Sequence, residues 1–104
     1  MPTIVNLGPI PDMLERRLRA RFELCPIAQA EAPEQIEVAV TTSMVGASAQ
    51  QMAQLPRLQL ILCNGAGLDR IDLAEAAARH IEVFNTADAV TKDTADYAVA
   101  LLYA

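Results

Sequence analysis

The run Leu60-Ile61-Leu62-Cys63 is apolar at every position and stops abruptly at Asn64-Gly65-Ala66-Gly67. A strand with apolar residues at successive positions is covered on both faces, which places it inside a sheet sandwiched between other layers. Residues 58–63 form the most hydrophobic strand candidate and are placed centrally. Gly65 and Gly67 carry no Cβ, so they permit positive φ and a close approach of a ligand to the main chain. Open α/β sheets bind ligands beyond the carboxyl ends of their strands. A loop of backbone N–H groups there suits a carboxylate or a phosphate. The same pattern also serves a tight strand-to-helix turn with no ligand, and a G-x-G without further G-x-x-G spacing does not separate the two.

Four other short apolar runs surround this one. Residues 3–7 read as a first strand, broken by Gly8-Pro9-Ile10-Pro11. Pro11 suits a helix start and Asp12 adds charge to its first turn. Met13, Leu14, Leu18 and Phe22 share one helix face. Glu15, Arg16, Arg17, Arg19 and Arg21 fill the solvated remainder. Residues 22–25 read as a second strand ahead of Pro26, and residues 28–35 as a loop or weak helical turn. Residues 37–41 read as a third strand and residues 42–47 as the loop at its carboxyl end. Ser48-Ala49-Gln50-Gln51 fits a capping box opening a short helix that Pro56 stops. Asp72 to Glu75 fits a second box, opening an alanine-rich helix through Arg79. His80 falls where a helix end favours Gly or Asn in the left-handed region. Residues 81–84 read as a fifth strand, residues 85–90 as a loop, and Thr91 as the cap of a final helix over residues 92–104.

Five strands alternating with helices predict an α/β fold: a flavodoxin-like, doubly wound, five-stranded parallel sheet in three α/β/α layers. A chain of 104 residues is one domain's worth. The net charge of −5, with no basic patch or basic helix, argues against nucleic acid or an anionic membrane as partner. No apolar run reaches the roughly 18 residues that span a bilayer, and no signal-peptide pattern opens the chain. Cys25 and Cys63 lie far apart in no C-x-x-C arrangement, which fits two reduced core thiols in a cytoplasmic protein. No metal-ligand spacing is present. A receiver domain would share the sheet, but it needs an acidic cluster after the first strand, where this chain has Asn6-Leu7-Gly8.

Taken in order, several segments resemble the NAD-dependent D-2-hydroxyacid dehydrogenases, and among them the glyoxylate and hydroxypyruvate reductase branch. They are Leu55-Pro56-Arg57-Leu58, the Gly65-Ala66-Gly67-Leu68-Asp69-Arg70-Ile71-Asp72 loop, Ile81-Glu82-Val83 with Asn85-Thr86, and Val90-Thr91 leading to Ala95-Asp96-Tyr97-Ala98 and Leu101-Leu102. The resemblance implies a substrate-binding domain over residues 1–91. Residues 92–104 would then start the helix that crosses towards a dinucleotide-binding domain absent from this chain. The strongly apolar end of that helix would be explained by a longer product, or by a partner.

The resemblance further implies that Ala66 and Gly67 hold the substrate carboxylate through their backbone N–H groups. Gly65 gives the turn its freedom and Asn64 adds a donor. Met44 and Val45 line the substrate pocket, or simply pack their loop. Thr91 faces the cofactor as well as capping its helix, and Asp96 is structural, near the hinge. The cofactor would be NAD or NADP, held mainly by the absent domain. The partners would be a small 2-keto or 2-hydroxy acid and, in the complete enzyme, a second copy in a homodimer. No catalytic residue is assigned: the family's arginine, glutamate and acid/base histidine lie beyond this chain, and His80 does not match that histidine. The isolated chain is therefore expected to be inactive. His80 and Ala87 stand where relatives usually have Gly and Pro. The competing expectation is a non-enzymatic, co-repressor-like interaction module of the same fold.

Overall fold

The computed structural model describes residues 3–65 and 67–85. Five strands, β1 (Thr3–Asn6), β2 (Glu23–Pro26), β3 (Val38–Thr42), β4 (Leu60–Asn64) and β5 (Glu82–Asn85), form one sheet. Every pairing is parallel and the spatial order is β2-β1-β3-β4-β5. This is the doubly wound, flavodoxin-like order, whose direction switches between β1 and β3. β4 is an interior strand, as its composition requires, although the middle position belongs to β3.

Side chains of alternating parity feed two separate cores. Ile4, Val38, Val40, Leu60 and Leu62 pack with Leu14, Leu18 and Phe22 from α1 (Asp12–Arg19) and the turn after it. Val5, Ala39, Ile61 and Cys63 pack on the other face with Met52 of α2 (Ala49–Ala53) and Ala76 of α3 (Leu73–Ala78). Successive residues along β3 and β4 are thus buried on opposite faces, which gives the three layers. The expected helix face of α1 differs in one residue: Met13 is 65% exposed. Leu14 and Leu18, four apart, already turn the stripe inward, and position 13 lies one step off it.

Helix ends follow local chemistry. The Ser48 hydroxyl accepts from the Gln51 backbone N–H, and the Gln51 side chain accepts from the Ser48 N–H, completing the box. The second box is only half made. Asp72 accepts from the Glu75 N–H, but the Glu75 carboxylate turns to Arg79 one turn on. Between β2 and β3 the chain makes two single 3₁₀ turns, Ile27–Gln29 and Pro33–Gln35, rather than a helix. His80 has φ 59°. Its N–H bonds to the Ala77 carbonyl and the Ile81 N–H bonds to the Ala76 carbonyl, which is the Schellman pattern that closes a helix through a left-handed residue.

Candidate functional site

Three loops meet at the carboxyl edge of the sheet, next to the point where its winding reverses. The loop after β3 is folded tightly on itself. The Thr42 carbonyl accepts from the N–H groups of Val45 (3.2 Å) and Gly46 (2.8 Å). The buried Thr41 hydroxyl donates to the Gly46 carbonyl at 2.6 Å. Gly46 has φ +70°, and a Cβ there would sit 2.1 Å from the Arg70 carbonyl oxygen. The missing side chain lets Ala47 bridge to Ile71, with Ala47 N–H donating to Arg70 at 3.0 Å and Asp72 N–H donating to Ala47 at 2.8 Å. Val45 lies against Gly8 in the loop after β1, where a Cβ would fall 2.6 Å from its Cγ1. Val45 is therefore part of a packed junction, whereas Met44 stands 76% exposed on the rim.

The loop after β4 lies beside this one, because Thr42 and Asn64 are in register. Gly65 has φ +143°, and a Cβ on it would be 2.2 Å from the Ser43 hydroxyl oxygen. That hydroxyl accepts from the Gly67 N–H at 3.1 Å. From below, the Cys63 thiol points to the Gly67 carbonyl at 3.7 Å. The Asn85 amide reaches the Gly65 carbonyl at 3.5 Å from β5. Asn64 is half-buried and engaged. Gly67 is exposed, so its amide faces the rim while its loop is held from three strands. Ala66 and Thr91 lie outside the described residues, as do Asp96 and the expected final helix.

Burial pushes the Cys63 thiol above its ordinary range, and the Ser43 hydroxyl beside it pulls the other way. Cys25 is also raised, chiefly by burial. Both cysteines are reduced thiols. Among the described residues no three His, Cys, Asp or Glu side chains gather at metal-binding spacing, and no helix is long and apolar enough to cross a membrane. A groove of about 800 Å³ runs along β2, lined by Arg19, Glu23, Cys25 and Glu31 among others. It is separated from β4 by β1 and β3 and has no part in the glycine loop.

Ser43 was not singled out from the sequence, and Asn85 entered only as part of a resembling segment, with no role at the loop. The pairings Thr42↔Asn64 and Cys63↔Asn85 bring both to the loop.

A match to the family described as "D-isomer specific 2-hydroxyacid dehydrogenase, catalytic domain" runs over residues 14–100. The chain belongs to this family. It is 37% identical over 107 residues to the 2-ketogluconate reductase of Gluconobacter oxydans, covering 99% of this chain and 34% of that protein. It is 32% identical to glyoxylate/hydroxypyruvate reductase A of Arabidopsis thaliana, covering 97% of this chain and 35% of that one. The 2-hydroxyacid dehydrogenase of Ketogulonicigenium vulgare superposes with a TM-score of 0.75 at 34% identity, over 98% of this chain and 35% of that one. The NADPH-dependent glyoxylate/hydroxypyruvate reductase of Sinorhizobium meliloti, solved with NADP and malonate, gives 0.71 at 29% identity, over 97% of this chain and 33% of that one. The chain thus spans about a third of the length of the curated relatives it matches.

The relatives' nicotinamide cofactor finds no cradle among the described residues. A pyrophosphate needs unused N–H groups at a helix start. Here the turn into α1 carries Pro9 and Pro11, which have no N–H to offer. The start of α2 is satisfied by its own capping box, and the Asp72 carboxylate sits at the start of α3.

Proposed function

We propose that this chain is the substrate-binding portion of an oxidoreductase that moves a hydride between NAD(P)H and a small 2-keto or 2-hydroxy acid. In this reading the Gly65-Ala66-Gly67 loop seats the acid's carboxylate. The observation that carries it is the Gly67 N–H: exposed at the rim, held by a neutral hydroxyl oxygen, in a loop anchored from β3, β4 and β5. A carboxylate oxygen is the stronger partner for such a donor. The glyoxylate and hydroxypyruvate named for the Arabidopsis relative, and the malonate bound by the Sinorhizobium enzyme, agree with a short carboxylic acid, and the 2-ketogluconate of the Gluconobacter relative is a longer 2-keto acid. Asn64 adds a donor, and Met44 and Val45 form the near wall, Met44 by its exposed side chain. Thr91 faces the cofactor, NAD or NADP, which is held mainly by a domain outside this chain.

The proposal extends to organisation. Residues 1–91 form the substrate-binding domain, and residues 92–104 begin the connection towards the dinucleotide-binding domain. The complete enzyme works as a cytoplasmic homodimer. The family's proton donor and guanidinium are not on this chain, so the 104-residue chain alone turns nothing over. The test is NAD(P)H oxidation with glyoxylate and hydroxypyruvate, run on the protein expressed from its own gene and on this chain alone. Activity in the first and none in the second is the expected result. Failure of the gene product to reduce any short 2-keto acid would sink the reading.

A further inference from the structure

Ser43 is the first residue after β3, abreast of Gly65 through the Thr42↔Asn64 register. Its oxygen lies over the loop only because Gly65 is bare; a Cβ there would take its place. Gly67 is not crowded in the same way, since a Cβ on it would meet Ser43 at an ordinary 3.9 Å. The hydroxyl is thus set directly beside the Gly67 N–H and half-open to the rim. A serine hydroxyl has one proton to give and two lone pairs to accept with. One lone pair takes the Gly67 N–H. The Cys63 thiol also lies beside it, and a thiol sulfur is a weak acceptor. The hydroxyl can therefore rotate at small cost.

We propose that Ser43 is a substrate-binding residue: its hydroxyl holds the Gly67 N–H in place and turns to donate its proton to the carboxylate when a 2-keto acid takes over that N–H. The inference rests on the carboxylate reading above. The exchange is favourable on both sides. The amide trades a neutral acceptor for a charged one, and the hydroxyl trades sulfur for a carboxylate oxygen. No donor is left without an acceptor at any stage. The carboxylate carries the same charge in the ground state and during hydride transfer, so the contact contributes to binding and little to the chemical step.

The test is steady-state kinetics and oxalate binding by calorimetry, on the protein expressed from its own gene. Ser43→Ala is expected to raise the KM for the 2-keto acid about ten- to a hundredfold, the size of a hydrogen bond to a charged group. The oxalate Kd should rise by a similar factor, while kcat stays within about threefold and the KM for NAD(P)H is unchanged. A purely structural role would move kcat and the cofactor KM as well. Ser43→Thr keeps the hydroxyl and is expected to stay within about threefold of wild type, which keeps the inference testable should the alanine variant fold poorly. Unchanged oxalate affinity in Ser43→Ala, tighter binding there, or a threonine variant as weak as alanine would each overturn it. A wild type that binds oxalate with no loss in Ser43→Ala refutes this inference alone. A wild type that neither binds oxalate nor reduces a 2-keto acid refutes the carboxylate reading and this inference with it.

Discussion

Replacing Gly46 by alanine tests the framework that positions the site. Its φ of +70° is a left-handed conformation, which costs a residue with a Cβ about 1–2 kcal/mol. The new Cβ would lie 2.1 Å from the Arg70 carbonyl oxygen. That oxygen is backbone and already accepts from the Ala47 N–H, so no side chain can swing aside. Relief requires opening the Ala47–Ile71 bridge, whose two hydrogen bonds contribute roughly 0.5–1.5 kcal/mol each. Alanine's smaller unfolded-state entropy returns about 0.4–1 kcal/mol. The net loss is about 2–4 kcal/mol, a large part of the roughly 5–15 kcal/mol that holds a domain together. Gly67→Ala is the control: its Cβ would have ordinary contacts, and its effect on stability should be within about 0.5 kcal/mol. The chain has no tryptophan, so urea unfolding is best followed by far-UV circular dichroism. The midpoint should fall in Gly46→Ala with an unchanged slope. A loss below about 1 kcal/mol, or equal losses in the two variants, would refute the close approach of the two loops.

Three further outcomes follow from the structure. His80→Gly should raise stability by about 0.5–1 kcal/mol, because the left-handed cost removed slightly exceeds the entropy cost of glycine; a lower melting temperature would contradict the helix-end assignment. Cys63 should make the fold sensitive to alkali. Its folded pKa is raised from 9.0, so its contribution is complete below that value and lost as pH climbs through the folded pKa. The alkaline fall in unfolding free energy should be smaller in Cys63→Ala, with a remainder from Cys25. Met44→Ala should leave stability within about 0.5 kcal/mol, since the side chain is exposed, yet change the relative KM values for short and longer 2-keto acids; identical KM ratios would remove Met44 from the substrate wall.

The sheet was legible because its evidence is local and repeated. Strands such as residues 58–63 announce double-sided burial by continuous apolarity. Ser48–Gln51 writes its helix start in four residues, and His80 was readable as a left-handed helix end. The half-made box at Asp72 was not: Glu75 has two possible partners, and Arg79 one turn later offers a charged one. Met13 misled because an apolar residue adjacent to a stripe resembles part of it. At the site, the glycines of the β4 loop were legible from their missing side chains. Ser43 was not, and Asn85 was visible only as part of a resembling segment, since their contacts with the loop exist only across strand pairings. A serine after a strand means nothing until its neighbour is known to be Gly65.

The most direct test of the central claim is to watch the Gly67 amide itself. The chain holds only four glycines, so glycine-selective 15N labelling gives a spectrum that can be assigned by substitution. Oxalate is added at constant ionic strength, with chloride as the control. The carboxylate reading expects the Gly67 signal to move downfield in a saturable way with oxalate and not with chloride, with Gly65 following and Gly8 and Gly46 nearly still. A Gly67 signal that does not respond to oxalate, or responds equally to chloride, would contradict it.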